Sequence, residues 1–383
     1  MEMNTSAMIR NNAIIKGLIE NDAIVDLLTI EAIESNPAYD KTLNWDKRIN
    51  IISLKGNNLY KSFVKSERSV IGKLKKSLLP IIRRMYHSFN LFDNTIYIAK
   101  GANHNILPSK YYDLIISSSD PKSSHIAVHK LIKSGLRYGR WIQYWGDPLT
   151  IDITKKSIYP NILIKKIENQ IFYNADRLVY VSPFTLEKQK KLFPNYADKM
   201  IFLPVPYIRE KKYKNNSREN KKVTIGYFGD YYTKIRNIEN LYSVCQQEKF
   251  NLIIAGNSNV ELLNTKNITI LPRISQNQVE ELEARCDILI CILNKTGTQI
   301  PAKIYHYAAT NRPILILVHK NQEQMSKYLE SFSRFVICEN EYESVKKAIK
   351  SIMKSKKEYE PLPFLNSKNI SKQLLNLGNR GGE

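Results

Sequence analysis

Short apolar runs alternate along the chain with segments in which apolar residues recur every three to four positions. The runs are typical of buried parallel strands, and the wider spacing is typical of amphipathic helices. The segment Cys286–Leu317 shows this alternation most clearly. It joins the apolar runs Ile288–Leu293 and Ile314–Val318 through a polar loop and a helix predicted over Ala302–Thr310. The polar residues of this strand–loop–helix–strand unit lie in the loop and at the start of the helix.

The same alternation extends over the rest of the sequence and predicts an α/β protein with parallel sheets. Helices are predicted at Asn4–Glu20, Asn161–Ala175, Pro183–Leu192, Gln276–Arg285, Glu341–Lys354 and Asn366–Leu377. Strands of the first half are predicted at Ala23–Ile30, Arg48–Ser53, Thr95–Ala99, Tyr111–Ser119, Arg177–Ser182 and Met200–Leu203. Strands of the second half are predicted at Val223–Tyr227, Asn251–Ala255, Ile268–Leu271 and Phe335–Cys338.

The composition changes at Ile208–Lys222, which contains almost no apolar residues and is typical of an interdomain linker. A chain of 383 residues is long enough for two α/β domains, each with a sizeable core. We therefore expect a first domain over residues 1–207, a linker over 208–222, a second domain over 223–360 and a tail over 361–383.

Lysine and arginine outnumber aspartate and glutamate by 58 to 36, which gives a net charge of +22. Such a charge favours an anionic partner or surface, and nucleic acid is one candidate. The basic residues lie in the linker and in surface helices without the aromatic pattern of a single-strand binder, which argues against nucleic acid. No apolar run approaches the length of a transmembrane span, and no signal-peptide pattern opens the chain.

The segment Asn58–Phe89 carries eight lysine and arginine residues against Glu67 alone, together with many aliphatic residues. A basic amphipathic segment of this kind can lie on an anionic membrane surface. It can equally be a surface helix with a solvated charged face, and both interpretations stay open. The four cysteines show no metal-ligand spacing and are typical of reduced, buried thiols; they are Cys245, Cys286, Cys291 and Cys338.

The segment Pro301–Leu315, PAKIYHYAATNRPIL, resembles the donor site of group 1 (family 4-like) glycosyltransferases, which have two Rossmann-like domains facing a cleft, the GT-B fold. The resemblance implies that Lys303 and the loop before it bind an activated sugar. The two acidic residues of the family pattern are replaced here by His306 and Thr298. Both positions are candidates for binding the sugar donor. His306 would donate a hydrogen bond to the ribose or diphosphate, where the acidic residue of the family accepts one from a hydroxyl.

The start of the second domain adds further donor-binding candidates. The motif GYFGDYYTKIRN resembles the family's glycine turn, in which Gly229 allows close approach of the donor diphosphate. Lys234 and Arg236 would supply the cations. The position after the glycine, often basic in the family, is Asp230. The resemblance also places the nucleotide base near Arg273.

Two candidates for acceptor chemistry come from the first domain. The segment Arg140–Pro148, RWIQYWGDP, resembles a family strand that ends at the cleft, and Asp147 would orient or deprotonate the acceptor hydroxyl. An aspartate before a proline also caps turns, and that alternative stays open. His125 follows a serine–proline loop and is a second candidate, although a packed or capping histidine fits the pattern as well.

The first domain opens on a helix, whereas a Rossmann half opens on a central strand. Arg10, Ile14, Lys16 and Leu18 match the part of the family pattern that follows this strand and its glycine loop. A sheet without its central strand would leave two rows of unpaired backbone groups. We therefore expect the first domain to lack its first strand in this sequence, which would then begin too late.

The resemblance implies a hexosyltransferase that moves a sugar from a nucleotide-diphosphate donor to a hydroxyl of a lipid-linked glycan, with retention of configuration. It implies that the reaction needs no metal and no cofactor beyond the nucleotide sugar. It also implies a tail helix that returns to the first domain. The protein would act in the cytoplasm, at the inner face of the membrane. The absence of a D-x-D motif agrees with metal independence. A non-catalytic subunit of similar fold and a basic nucleic-acid-binding protein remain the alternatives.

Overall fold

The structure is a computed structural model that describes residues 2–36, 38–43, 46–56, 89–153, 157–214 and 222–378. The predicted basic amphipathic segment lies outside these residues except for Phe89, as does the second half of the predicted linker. The chain divides into two compact units. Unit 1 comprises Met1–Pro204, Gly297–Gln299 and Ile370–Glu383, and unit 2 comprises Val205–Thr296 and Ile300–Asn369.

Unit 1 contains six strands and five helices before its boundary at Pro204, counted over the described residues. The strands are β1 Asp26–Ile30, β2 Asn50–Leu54, β3 Tyr111–Ser118, β4 Arg137–Trp145, β5 Arg177–Tyr180 and β6 Met200–Phe202. The helices are α1 Ser6–Glu20, α2 Ile96–Lys100, α3 Ser123–Lys133, α4 Asn161–Phe172 and α5 Pro183–Leu192.

The strands of unit 1 form two parallel sheets. Strand β1 pairs with β2, and the second sheet has the order β3-β4-β5-β6. The side chains of Trp141, Trp145, Phe172 and Tyr180 are fully buried and form the centre of the apolar core. Because β3 and β4 are parallel neighbours, their carboxyl ends lie at one edge, where sheets of this kind place ligands.

The strand predicted at Thr95–Ala99 is wrong, because the structure has helix α2 there. The apolar positions of these five residues fit both the spacing of a strand and the spacing of a helix. In the structure, Ile96 and Ala99 are buried three positions apart while Tyr97 is half exposed, which is the helical pattern. The carboxylate of Asp93 accepts a hydrogen bond of 3.0 Å from the Thr95 backbone N–H, which starts the turn. Local hydrogen bonding therefore decides between helix and strand at this position.

Unit 2 has one six-stranded parallel sheet with the order β12-β11-β10-β7-β8-β9. Its strands are β7 Thr224–Phe228, β8 Asn251–Ala255, β9 Ile268–Leu271, β10 Ile288–Ile292, β11 Ile314–Val318 and β12 Val336–Glu339. Its helices are α6 Glu239–Gln247, α7 Gln276–Arg285, α8 Ala302–Tyr307, α9 Glu323–Glu330 and α10 Tyr342–Lys354. The strand order reverses between β10 and β7, which is where doubly wound sheets bind ligands.

Helix α8 ends three residues earlier than predicted. The backbone N–H of Thr310 donates to the Tyr307 carbonyl over 2.9 Å, and that of Ala309 donates to the His306 carbonyl over 3.3 Å. These bonds span three residues instead of four and close the helix. A last helix, α11 Ser367–Gly378, follows a short turn. Its Ser371 hydroxyl donates to the Ile14 carbonyl within unit 1 over 2.8 Å.

The prediction of an α/β protein with two Rossmann-like domains is confirmed, since each unit carries parallel strands connected through helices. Within the part of the chain that the structure describes, no helix combines the length and the apolar character needed to cross a bilayer.

Candidate functional site

Polar side chains gather at the carboxyl ends of β3 and β4 in unit 1. The guanidinium of Arg10, which is buried, donates through Nη2 to the Ser118 hydroxyl over 3.0 Å and to the Ser119 carbonyl. A Cβ atom at Gly146 would lie 2.6 Å from Arg10 Nη1, so a side chain at this position would displace the guanidinium. The turn that follows β4 therefore packs directly against a buried cation.

A second cation at this edge is paired with carboxylates. The ammonium of Lys122 lies 3.0 Å from Asp120 and 2.8 Å from Asp152, and the Lys122 and Asp152 side chains are both buried. Burial by itself lowers the pKa of Lys122, but the two carboxylates outweigh it and raise the pKa above its ordinary value. Lys122 is therefore charged and neutralised within the chain.

Asp147 lies in the turn that follows β4. Burial and, to a smaller extent, the charges of Asp120 and Asp152 raise its pKa to about 6, against the opposing charges of Lys122 and Arg10. Among the described residues, none donates a hydrogen bond to its carboxylate. A carboxyl group that titrates near neutral pH can take up a proton from a hydroxyl, so the environment suits the predicted role of Asp147.

A residue that the sequence analysis missed holds this turn in place. Glu168 of α4 is fully buried, and its carboxyl group accepts hydrogen bonds from the backbone N–H groups of Leu149 (3.1 Å) and Thr150 (2.8 Å). The Thr150 hydroxyl also contacts it. Burial raises the pKa of Glu168 to about 8, against the effect of the two backbone bonds. No local sequence pattern marks this contact, because it joins residues 18 and 19 positions apart.

His125, the second catalytic candidate, is packed into the core of unit 1. Its Nδ1 lies 2.7 Å from the Ser117 hydroxyl, and its ring centroid lies 4.1 Å from that of Trp145. Burial lowers the pKa of His125 well below its ordinary value. The imidazole is therefore neutral and fixed against an aromatic ring, as in the packed-histidine alternative.

In unit 2, Asp230 stands at the glycine turn where the family often has a basic residue, and its carboxylate is paired. The Asp230 carboxylate accepts a 2.9 Å hydrogen bond from the Asn257 backbone and forms an ion pair with Arg273. Gly229 lies directly before it, and a Cβ on Gly256 would overlap the Gly229 carbonyl, so the ends of β7 and β8 approach closely. Arg273 thus neutralises Asp230 at the turn where we expect a diphosphate.

Two other donor-site candidates meet at β10. Arg236 donates through Nε to Asn294 Oδ1 over 2.8 Å, and Lys303 lies 5.7 Å from the centre of the Tyr307 ring. Burial raises the pKa of the Cys291 thiol of β10 to about 12 against the charges of Arg236 and Lys303. Helix α8, which carries Lys303, packs against β10, and Arg236 bonds to Asn294 just beyond the end of that strand.

Neither cation has a counter-ion within the described residues, where no carboxylate lies within 4.0 Å of Arg236 or Lys303. Glu283, the carboxylate that most favours the charged form of Lys303, is itself paired with Lys211 over 3.0 Å and accepts a hydrogen bond from Tyr213. Burial lowers the pKa of Lys303 against this attraction. Two partly desolvated cations without a counter-ion are a favourable site for an anion.

The remaining donor-site candidates are Lys234, His306 and Thr298. Lys234 is exposed in the loop between β7 and α6, and His306 is partly buried in the last turn of α8. Thr298 belongs to unit 1, where its carbonyl accepts hydrogen bonds from the hydroxyls of Ser182 (2.5 Å) and Thr185 (3.2 Å). Gly297 beside it has a φ of +96°, which only glycine adopts readily.

The cysteines are free, and burial raises the pKa of the Cys245 and Cys286 thiols to about 12. Across the residues with a described position, no group of three or more histidine, cysteine, aspartate or glutamate side chains could hold a metal ion.

No family model matches the sequence, and no curated protein matches it. Among solved structures, the chain is similar to a glycosyltransferase from Rickettsia africae, with 14% identity over 92% of this chain and 93% of that chain and a TM-score of 0.42. It is similar to UGT89C1 of Arabidopsis thaliana complexed with UDP-L-rhamnose, with 13% identity, 99% and 94% coverage and a TM-score of 0.49. AviGT4, a glycosyltransferase involved in avilamycin A biosynthesis, shows 9% identity, 96% and 87% coverage and a TM-score of 0.49. These three neighbours are glycosyltransferases at low sequence identity to this chain.

Proposed function

We propose that the protein transfers a sugar from a nucleotide-diphosphate donor to an acceptor hydroxyl, with unit 2 binding the donor. The observation that carries this proposal is the pair of cations at β10, Arg236 and Lys303, which lack a carboxylate partner among the described residues. A diphosphate group brings the negative charge that this pair lacks. Cations in a partly desolvated site stabilise the charge that develops on a leaving diphosphate.

The reaction breaks the bond between the anomeric carbon and the diphosphate oxygen and forms a bond to the acceptor oxygen. Asp147 accepts the proton of the acceptor hydroxyl, and its pKa of about 6 leaves it largely ionised at neutral pH. Arg236 and Lys303 stabilise the departing nucleoside diphosphate in the role that a metal ion fills elsewhere. No step requires a cofactor other than the nucleotide sugar.

The sequence resemblance supports the finer parts of the proposal. It favours retention of the anomeric configuration, a lipid-linked glycan as the acceptor, and a place in cell-surface polysaccharide synthesis. The net charge of +22 suits a peripheral position on the anionic inner face of a membrane.

Incubation of the full chain with a panel of UDP-, GDP-, ADP- and TDP-sugars tests the function. At least one donor should release its nucleoside diphosphate in the presence of acceptor, and the same nucleotide should raise the melting temperature. Lys303→Ala should abolish both effects, whereas Lys347→Ala, which removes an exposed lysine of α10, should leave them intact.

Stabilisation by a nucleotide without release of product from any sugar would identify a non-catalytic subunit. Failure of every nucleotide to stabilise the chain, together with steeply salt-dependent retention of nucleic acid, would replace the proposal by the nucleic-acid-binding alternative.

A further inference from the structure

Large apolar side chains that the described residues leave uncovered lie together at the start of α4 in unit 1. Ile162 is 84% exposed, Ile158 is 55% exposed and Leu163 is 39% exposed. The Tyr159 hydroxyl donates to the Phe89 carbonyl over 2.9 Å, which brings the exposed Phe89 to the same place. Single exposed apolar residues are common on protein surfaces, whereas a group of neighbouring ones indicates a contact surface.

Positive charge borders these apolar side chains. Lys165 and Lys166 are exposed on the next turn of α4. Within α4, every residue of which the structure describes, the one acidic residue is Glu168, and it is fully buried. The exposed side of the helix therefore combines aliphatic and cationic side chains. We call this surface the α4 tip; it comprises Phe89, Ile158, Ile162, Leu163, Lys165 and Lys166.

Exposure of an apolar side chain does not by itself define such a surface, as Ile24 of unit 1 shows. Ile24 is 99% exposed, but Asp22 and Asp26 lie two positions to either side of it in the chain. An anionic surface repels the surroundings of Ile24 and attracts those of Ile162. The two isoleucines are thus equal in chemistry and opposite in the charge around them.

The sequence that leads into the α4 tip is basic on both sides. The basic segment Asn58–Phe89 ends at Phe89, and Lys155 and Lys156 precede Ile158 closely. Nucleic acid would pair with the lysines but leave the aliphatic side chains in water. An anionic bilayer accepts both, because its phosphates lie above an apolar interior.

We propose that the α4 tip docks unit 1 on an anionic bilayer. Ile158 and Ile162 insert at the boundary between headgroups and acyl chains, and Lys166 lies at the level of the lipid phosphates. The inference rests on the proposed function for its purpose, since a lipid-linked acceptor is reached from the bilayer surface. Docking itself requires neither a nucleotide nor turnover.

Flotation of the full chain with vesicles of phosphatidylcholine, with and without phosphatidylglycerol, tests the surface. The wild type should bind the vesicles that contain phosphatidylglycerol more tightly. Ile158→Ser/Ile162→Ser should weaken this binding about tenfold or more, because two aliphatic side chains no longer leave water. Ile24→Ser, the matched control, should bind as the wild type does.

The charge of the α4 tip is tested in the same assay. Lys166→Ala should weaken binding about fivefold, and added salt should reduce the difference. Lys347→Ala removes an exposed lysine of α10 and should leave binding unchanged. Melting temperatures equal to that of the wild type show that each variant is folded, as expected for substitutions of exposed side chains.

The inference is overturned if the wild type binds neither kind of vesicle or binds both equally. It is also overturned if Ile158→Ser/Ile162→Ser binds as tightly as the wild type, since another part of the chain then contacts the lipid. Self-association of the wild type, measured by light scattering and lost in the double variant without any vesicle binding, would show an interface between copies instead. Stabilisation by a nucleotide and release of nucleoside diphosphate are measured without vesicles, so failure of the transfer reaction is distinguished from failure of docking.

Together the two isoleucine substitutions separate position from exposure. Loss of vesicle binding in Ile24→Ser, with binding kept in Ile158→Ser/Ile162→Ser, would place the docking surface at the other end of unit 1's exposed apolar side chains and overturn the assignment to α4.

Discussion

Lys122 of unit 1 and the pair Arg236 and Lys303 of unit 2 differ in their counter-charges. In unit 1, Lys122 lies between Asp120 and Asp152, so its counter-charges belong to the chain. In unit 2, Arg236 donates to Asn294 and Lys303 lies over the Tyr307 ring, and the described residues provide no carboxylate within 4.0 Å of either. The charge of Lys122 is already neutralised by the fold, whereas Arg236 and Lys303 can be neutralised by an anion from outside.

This difference separates what each unit can do without a ligand. The charge of Lys122 is balanced within unit 1, and the raised pKa of Asp147 is a property of the folded chain itself. In unit 2, we expect the charges of Arg236 and Lys303 to be stabilised when a diphosphate binds. The comparison predicts that substitutions in unit 1 alter stability and proton transfer, whereas substitutions in unit 2 alter donor binding.

The largest expected effect follows from Asp147→Asn. The amide cannot accept the acceptor's proton, so kcat should fall about 10²–10⁴-fold while the nucleotide still raises the melting temperature. Steady-state release of nucleoside diphosphate measures the loss. An Asn variant with the kcat of the wild type would remove Asp147 from the mechanism.

The pKa of Asp147 also sets two pH dependences with opposite sign. Because the ionised carboxylate is the base, kcat of the wild type should rise as the pH rises through about 6. The folded state holds its proton more tightly than the unfolded state, so stability falls as the pH rises from about 4 to about 6. Asp147→Asn should therefore be more stable than the wild type at pH 7 by about 1–3 kcal/mol and show no such gain at pH 4. Urea denaturation across this range measures the difference.

Matched lysine substitutions test the comparison directly. Lys122→Ala should lower the free energy of unfolding by about 3–5 kcal/mol, because it removes the buried cation that lies 2.8 Å from the buried Asp152 carboxylate. Lys303→Ala removes a cation without a counter-ion in the described residues, so stability should not fall by more than about 0.5 kcal/mol. Chemical denaturation at neutral pH compares the two variants. Equal losses would mean that the units do not differ in this respect.

Glu168→Gln should have a smaller effect, confined to the turn that follows Asp147. The amide nitrogen would face the Thr150 N–H, which leaves one buried donor unpaired and costs about 1–3 kcal/mol. Because the folded pKa of Glu168 is raised to about 8, the wild type loses stability as the pH rises from about 4.5 to about 8, and the Gln variant does not. The stability difference should therefore narrow with rising pH. A constant difference would show that Glu168 does not titrate in this range.

Local pattern explains which features the sequence could predict. Apolar runs such as Ile288–Ile292 identify buried strands because parallel sheets are covered on both faces. Asp147 is a candidate because the segment Arg140–Pro148 resembles a family strand that ends at the cleft. Glu168 could not be predicted, because its hydrogen bonds to Leu149 and Thr150 depend on how α4 packs against the turn. The strand predicted at Thr95–Ala99 is wrong because five residues can fit the spacing of both a strand and a helix. The Asp93 carboxylate, which lies outside the segment, decides in favour of the helix.

Local sequence pattern could not predict the pairing of Asp230 with Arg273 either, because the two residues are 43 positions apart. A substitution in this pair has the smallest effect that we predict. Arg273→Ala leaves a carboxylate at the turn where we propose that the diphosphate binds, so KM for the donor should rise about fivefold, equivalent to about 1 kcal/mol of repulsion. Adding salt should reduce the difference, because the pair is partly exposed. The double variant Asp230→Asn/Arg273→Ala should recover the KM of the wild type, since both charges are then absent. If the double variant binds the donor no better than Arg273→Ala, Arg273 contacts the nucleotide itself, as the resemblance implies, and neutralisation of Asp230 is not its role.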